Sequence, residues 1–184
     1  MNLYISDLHF GHKNVIVYDH RPFSDVDEMD HVLIERWNAR VCNDDHVYIV
    51  GDLCYKNDHP EQWYLKQLKG SKHLVIGNHD NRLLKNDEAM AYFESVDSLM
   101  RITDGDKGVV LCHYPLACWN GEEHGSWHIY GHIHGKGRTE RYDVADYMRG
   151  KERTLNAGCM INNYAPASLK ELIANNEKYW KPLN

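Results

Sequence analysis

Aspartate, histidine and asparagine recur in this chain at one kind of place, directly after a short apolar run. Residues 2–6 (NLYIS) lead into Asp7 and His9, and residues 46–50 (HVYIV) with Gly51 lead into Asp52. Residues 73–76 (HLVI) with Gly77 lead into Asn78, His79 and Asp80. Residues 109–112 (VVLC) lead into His113, and residues 127–130 (WHIY) with Gly131 lead into His132 and His134. Carboxylate, imidazole and amide oxygen are the donors of a divalent-cation site. Rigid strands bring such donors from distant positions into one crevice at their carboxyl ends. Asp7 and His9 are two apart, as are His132 and His134, a spacing that puts side chains on one side of an extended chain. Gly51, Gly77 and Gly131 stand where the backbone must leave a strand sharply.

Each motif alone says little. Gly-Asp is a common turn, and Asn and Asp are natural turn residues. Thirteen histidines are an unusual number for 184 residues, but scattered surface imidazoles would give the same count. The joint occurrence of five motifs, in one order and each on a strand end, is what accident does not supply.

Asp7-Leu8-His9, Gly51-Asp52, Gly77-Asn78-His79-Asp80, His113 and Gly131-His132-Ile133-His134 together resemble the motif set of the calcineurin-like metallophosphoesterases. The resemblance spans residues 7 to 134 and lacks no required position. It implies that Asp7, His9 and His134 bind one metal, that Asn78, His113 and His132 bind a second, and that Asp52 bridges both. His79 would face the leaving-group oxygen as general acid, with Asp80 holding its ring. The implied reaction is hydrolysis of a phosphate mono- or diester through a hydroxide that bridges two divalent ions. The mixed nitrogen and oxygen donors suit manganese first, with iron, zinc, nickel or cobalt as alternatives, over calcium or magnesium.

The elements that must position these residues follow from patterning. After the first strand, Ser24 with Asp27 reads as a capping box opening a helix whose Val26, Met29, Leu33, Trp37 and Val41 share a face. Asn43-Asp44-Asp45 is a turn. Pro60 suits a first helical turn and Gly70 closes that helix. Residues 83–93 read as helical. Residues 95–102 and 108–112 read as strands joined by a turn, followed by strands at 127–130 and 154–157. Ser168 and Glu171 form a capping box for a last helix, whose Leu169, Leu172 and Ile173 dock on the domain. The expected class is α/β: two stacked mixed sheets flanked by helices in a four-layer sandwich, with residues 1–184 as a single domain.

Composition narrows the function. The formal net charge is −6 and no Lys/Arg block occurs, which argues against a non-specific nucleic-acid binder. No apolar run approaches the roughly 20 residues of a membrane helix, and the N-terminus lacks a signal-peptide pattern, so the expected compartment is the cytoplasm. Five cysteines without C-x-x-C spacing read as reduced thiols. The expected substrate is a small soluble phosphate ester, with no stable nucleic-acid partner and no membrane. A phosphodiesterase or nuclease acting on nucleic acid is the alternative. A non-catalytic scaffold of the same fold is disfavoured because every ligand position and His79 are intact, and a metal-storage protein leaves the ordered Asp and Asn donors unexplained.

Beyond the motifs, His12 is close enough to the first one to line the pocket, and Asn14 shares its loop. Trp119 lies in the Gly/Trp-rich stretch flanked by His124 and His128. It reads either as a substrate-stacking residue or as part of a structural loop. Arg138 and Arg141 could reach a second phosphate or simply lie in a polar loop. His20, His31, His46, His59 and His73 read as ordinary histidines, and Arg36 and Arg40 as solvated ones.

Overall fold

The computed structural model describes residues 1–134 and 142–180. Arg138 and Arg141 lie outside the described residues. Two four-stranded sheets stack face to face between helices. The first holds β1 (Asn2–Ile5), β2 (His46–Ile49), β3 (Ser71–Val75) and β4 (Phe93–Asp97), all parallel. The second holds β5 (Leu99–Asp104), β6 (Lys107–Cys112), β7 (Trp127–Tyr130) and β8 (Thr154–Asn156). In it β5 is antiparallel to β6 and the rest are parallel, so only this sheet is mixed.

Alternation along the strands divides the core. Leu3, Ile5, Val47, Ile49 and Leu74 face helix α2 (Val26–Arg40) and its Met29, Leu33 and Trp37. Tyr4, Tyr48, Val50 and Val75 face the other sheet's Val109, Leu111, Ile129 and Leu155, joined by Leu169 and Leu172 of α6 (Leu169–Trp180). Tyr130 and Ile133 pack against Ala145 and Met148 of α5 (Tyr142–Gly150). Each fully buried aliphatic side chain contributes about 1.5–3 kcal/mol. That is the rigidity the strand ends need to hold ligands in place.

Several boundaries differ from expectation. The cap of α2 is Asp25, whose carboxylate accepts the Glu28 N–H at 2.8 Å, while Glu28 reaches back to Ser24. The box is shifted by one residue because Asp25 has the extended backbone a cap requires. Helix α3 (Glu61–Leu65) is capped by Pro60 and ends well before Gly70. The stretch 83–93 is not one helix: a 3-10 turn at Leu83–Lys85 stops at Asn86, which caps the short α4 (Asp87–Met90) by accepting the Ala89 N–H. Phe93 already begins β4. The run expected as one strand over 95–102 is two, and the chain changes sheets at Ser98. Helices α1 (Lys13–Tyr18) and α5 were not anticipated: the six residues of α1 are too few to show a period, and α5, which turns Ala145 and Met148 inward, was passed over. The box at Ser168 and Glu171 is present, with both reciprocal bonds formed. No helix among the described residues is long and apolar enough to cross a membrane, and all five cysteines are free thiols.

Candidate metal centre

The carboxyl ends of β1, β2, β3, β6 and β7 open on one crevice, and the donors gather there. Asp7, His9, Asp52 and His134 are buried, and one donor atom from each lies within 4.8 Å of all the others. His134 Nε2 stands 3.3 Å from both His9 Nε2 and Asp7 Oδ1, and His9 Nε2 is 3.6 Å from Asp52 Oδ2. On the other side of Asp52, its Oδ2 lies 3.5 Å from His113 Nε2, which is 3.1 Å from Asn78 Oδ1. The His132 ring is 5.1 Å from that of His113. Six of the seven sequence-predicted ligand residues therefore bring donor atoms together in two groups that share Asp52, and the His132 ring packs beside the second.

The hydrogen bonds behind these donors decide what they can hold. His134 Nδ1 is 2.7 Å from the Asp19 carboxylate and His113 Nδ1 is 2.9 Å from the Val50 carbonyl. Both partners only accept, so both rings carry their proton on Nδ1. In the neutral rings each Nε2 then presents a lone pair to carboxylate, amide or imidazole acceptors. The His113 Nε2 lone pair and the Asn78 amide oxygen then face each other at 3.1 Å, a contact that a cation between them would relieve. His9 Nδ1 is buried with no partner, so that ring too is placed for what its Nε2 faces. This donor set fits divalent ions of the transition series, with outer hydrogen bonds of the kind that orient metal-bound histidines.

The backbone is strained where the ligands sit. Asp7 (φ 55), His9 (φ 53), Asp52 (φ 58), His132 (φ 68) and His134 (φ 47) all occupy the left-handed region, at about 1–2 kcal/mol each. The paired ligands converge through these conformations and not through the pleat of an extended chain, which corrects the spacing argument above. Gly51 (φ 84) precedes Asp52, and a Cβ there would collide with the His113 ring. Gly131 answers a different need, since a Cβ would come 2.7 Å from Asp7 Oδ2 and from Ser6 Oγ.

A surrounding frame holds this strain. Ser6 Oγ donates to Asp7 Oδ2 at 2.6 Å, and the His132 N–H donates to both Asp7 oxygens at 3.1 Å. Arg21 is buried and donates to the carbonyls of Asp7 (2.7 Å) and Leu8 (2.8 Å) while pairing with Asp19. From the C-terminal segment, which showed no chemistry in sequence, Cys159 Sγ meets the Asp7 carbonyl and Asn156 Nδ2 donates to the His134 carbonyl. Sequence reading missed Asp19, Arg21 and Asn156, because they stand in loops and strand ends with no periodic or motif signal.

Asp80 departs from its expected role. Its two oxygens accept the N–H groups of Gly77 (2.7 Å), Asp52 (2.9 Å) and Leu53 (3.0 Å), tying two ligand loops together from a fully buried position. It anchors backbone, where the His79 ring was the expected partner. His79 itself is half-buried beside the pair. Its N–H donates to Asp52 Oδ1 at 2.8 Å, and its ring lies 5.4 Å from His9 and 4.1 Å from Tyr55.

His12 is buried and packs edge-on to Tyr55, 5.4 Å from the His9 ring, so it belongs to the wall of the site, whereas Asn14 is exposed. Trp119 takes the structural-loop role: it is 8 % exposed, its indole N–H donates to Ser126, and its ring packs on His128. His128 is fully buried, held between the Val110 carbonyl and the Leu116 N–H. The aromatic rings that do flank the centre are Tyr55 against His79 and the exposed Tyr114, 4.6 Å from His132.

The buried surroundings of the centre oppose charge on the protein's own groups. Burial first, then the Asp7 carboxylate, pushes the Asp52 carboxyl above the ordinary range. Burial first, then His134, holds the His9 imidazole well below its ordinary value. A neutral His9 is ready to ligate, while Asp52 needs a cation to stabilise its ionised form.

Comparison with known proteins places this arrangement. An uncharacterized protein of Methanocaldococcus jannaschii is 33% identical over 176 residues, which cover 95% of this chain and 90% of the relative. This chain and that protein belong to one family. A further relative is the Gene 66 protein of Mycobacterium phage L5, 32% identical over 71% of this chain and 76% of that protein. Among solved structures, a protein of unknown function from Aquifex aeolicus superposes with a TM-score of 0.69 at 26% identity, covering 95% of this chain and 98% of the other. No family model matches the sequence.

Proposed function

We propose that this protein hydrolyses a phosphate ester of a small soluble substrate at a centre of two divalent cations, manganese first among those that suit the donors. The observation that carries this reading is the convergence of carboxylate, imidazole and amide donors in two groups that share Asp52. Asp7, His9, Asp52 and His134 would hold one ion, and Asp52, Asn78, His113 and His132 the other. Bound there, two cations supply Lewis-acid polarisation of the phosphate oxygens and of solvent.

The protein's own residues do the rest. Asp52 would be a ligand to both ions, and by accepting the His79 backbone N–H it sets the position of the general acid. The His79 imidazolium gives its proton to the departing oxygen as the bond from phosphorus to that oxygen breaks and a water oxygen takes its place. Asp80 and Arg21 keep the strained ligand loops from relaxing. Next to His79 a cavity of about 340 Å³ is lined by Tyr55, Lys56, Asn78, Asn81 and Arg82. That volume suits a leaving group of nucleoside size, and its two basic residues suit an anionic one. The acidic net charge and the modest cavity support a small substrate over a nucleic acid.

A panel of p-nitrophenyl phosphate, bis-p-nitrophenyl phosphate, nucleotides and single-stranded DNA, assayed with Mn²⁺, tests the reading. Turnover of small esters that EDTA abolishes is expected. Robust cleavage of DNA with none of the small esters would replace it with the nuclease alternative.

A further inference from the structure

The parallel sheet has a second end, and a cluster of donors stands there too. His46 opens β2, His73 is in the middle of β3, and Glu94 is the second residue of β4. His46 Nδ1 is 3.0 Å from His73 Nε2, and the nearer Glu94 oxygen lies 3.8 Å from the first and 3.7 Å from the second. At metal–nitrogen distances of about 2.0–2.1 Å, tetrahedral ligand atoms stand roughly 3.3 Å apart, a value these three separations bracket. Asp52 is six positions after His46, so at about 3.3 Å per residue this cluster lies up to about 20 Å from the centre at the carboxyl ends.

Two features show that the triangle is built. The first is a register shift in β4: Lys72 pairs with Phe93 and His73 with Ser95, so Glu94 is passed over. Regular alternation would place Glu94 and Ser95 on opposite faces. The bulge re-aims the carboxylate toward the face of the two imidazoles, as bulges do beside binding sites. The second is the support behind the ligands. His73 Nδ1 is 2.8 Å from Ser95 Oγ, and that hydroxyl has Met100 Sδ within reach for its own proton. His73 then donates from Nδ1 and leaves the Nε2 lone pair toward His46 and Glu94. Tyr48 stacks on the His73 ring at 4.6 Å and fixes its plane, and Ser71 hydrogen-bonds Glu94. An outer partner on the far ring nitrogen and a packed ring are the usual supports of a histidine ligand.

We propose that His46, His73 and Glu94 form a separate cation site for a borderline ion such as Zn²⁺, with solvent completing the coordination. It would clamp the amino ends of three neighbouring strands, including β4, the edge strand of the sheet. The half-exposed His46 and Glu94 make it an exchangeable structural or regulatory site, with no part in the hydrolytic chemistry.

Zinc alone is the probe. Crystals of the wild-type protein soaked in Zn²⁺ are expected to show an anomalous peak at the zinc edge within bonding distance of all three ligand atoms. In equilibrium dialysis, His46→Ala and Glu94→Gln should each bind one equivalent fewer than wild type, or bind that equivalent at least tenfold more weakly. Manganese-dependent ester hydrolysis should be unchanged in both variants. Absence of the peak with the His46–His73 hydrogen bond intact, or equal zinc uptake by wild type and both variants, would overturn the proposal. The readout is local to the amino ends of the strands, so its failure leaves the centre at the carboxyl ends untouched, and the converse also holds.

Discussion

Asp52→Asn is expected to abolish ester hydrolysis and most of the response of the protein to divalent cations, while leaving the fold in place. The side chain is about 1 % exposed and one of its oxygens lies between the two donor groups. Loss of a single outer hydrogen-bond partner typically costs 10–100-fold in affinity or activity, and removing a charged ligand shared by two ions exceeds that. Asparagine keeps the shape and can still accept the His79 N–H. Without a cation the variant should be at least as stable as wild type at alkaline pH, because it has no buried carboxyl to ionise. The sign follows from linkage. The folded Asp52 carboxyl titrates above its unfolded value, so its contribution to stability is complete below the unfolded pKa and is lost as pH rises through the folded one. His9, depressed by burial, contributes above about pH 6.5 and loses that contribution as pH falls. A cation favours ionised Asp52 and neutral His9. The rise in melting temperature on adding Mn²⁺ to EDTA-treated wild type should therefore grow from pH 5.5 to pH 8.5 and be nearly flat in Asp52→Asn. A Mn²⁺ response that shrinks with rising pH, or an active Asp52→Asn protein, contradicts this account.

His79→Ala should separate chemistry from cation binding. The ring stands beside the donor groups without contributing to the clusters they form, so the variant should take up Mn²⁺ as wild type does. Removing a general acid typically costs about 10²–10⁴-fold. The loss should be largest for an alkyl phosphate ester, whose leaving oxygen needs the proton, and smallest for p-nitrophenyl phosphate, whose leaving group departs as the anion. Steady-state kcat for the two ester types gives the comparison. Equal losses for both would assign His79 to binding, and wild-type turnover of the alkyl ester would remove it from the mechanism.

Much of this site was legible in the sequence because its ligands attach to the strongest local signal a chain carries. An apolar run that stops at Asp, Asn or His marks both the strand and the place where it opens, and all seven candidate ligand residues were picked out that way. The reason first given for their convergence did not hold, since left-handed backbone at Asp7, His9, His132 and His134 does what the pleat was expected to do. The frame was illegible for the same physical reason. Asp19, Arg21 and Asn156 act through single long-range hydrogen bonds to backbone or ring nitrogen, which leave no period, cap or spacing behind. The fold shows the same division. The long helix α2 and the Ser168 cap were readable from face and cap residues. The switch between sheets at Ser98 was not, because continuous strand propensity over 95–102 carries no mark of which sheet each half joins. Trp119 shows the converse error, an aromatic next to ligand motifs whose indole is spent on holding its own loop.

The most direct test is anomalous scattering from crystals grown with Mn²⁺. Two peaks are predicted, one among Asp7, His9, Asp52 and His134 and the other among Asp52, Asn78, His113 and His132, with the Asp52 carboxylate touching both. A map without manganese in that crevice, or with a single ion that Asp52 does not touch, would contradict the paired-cation centre on which the proposed hydrolysis depends.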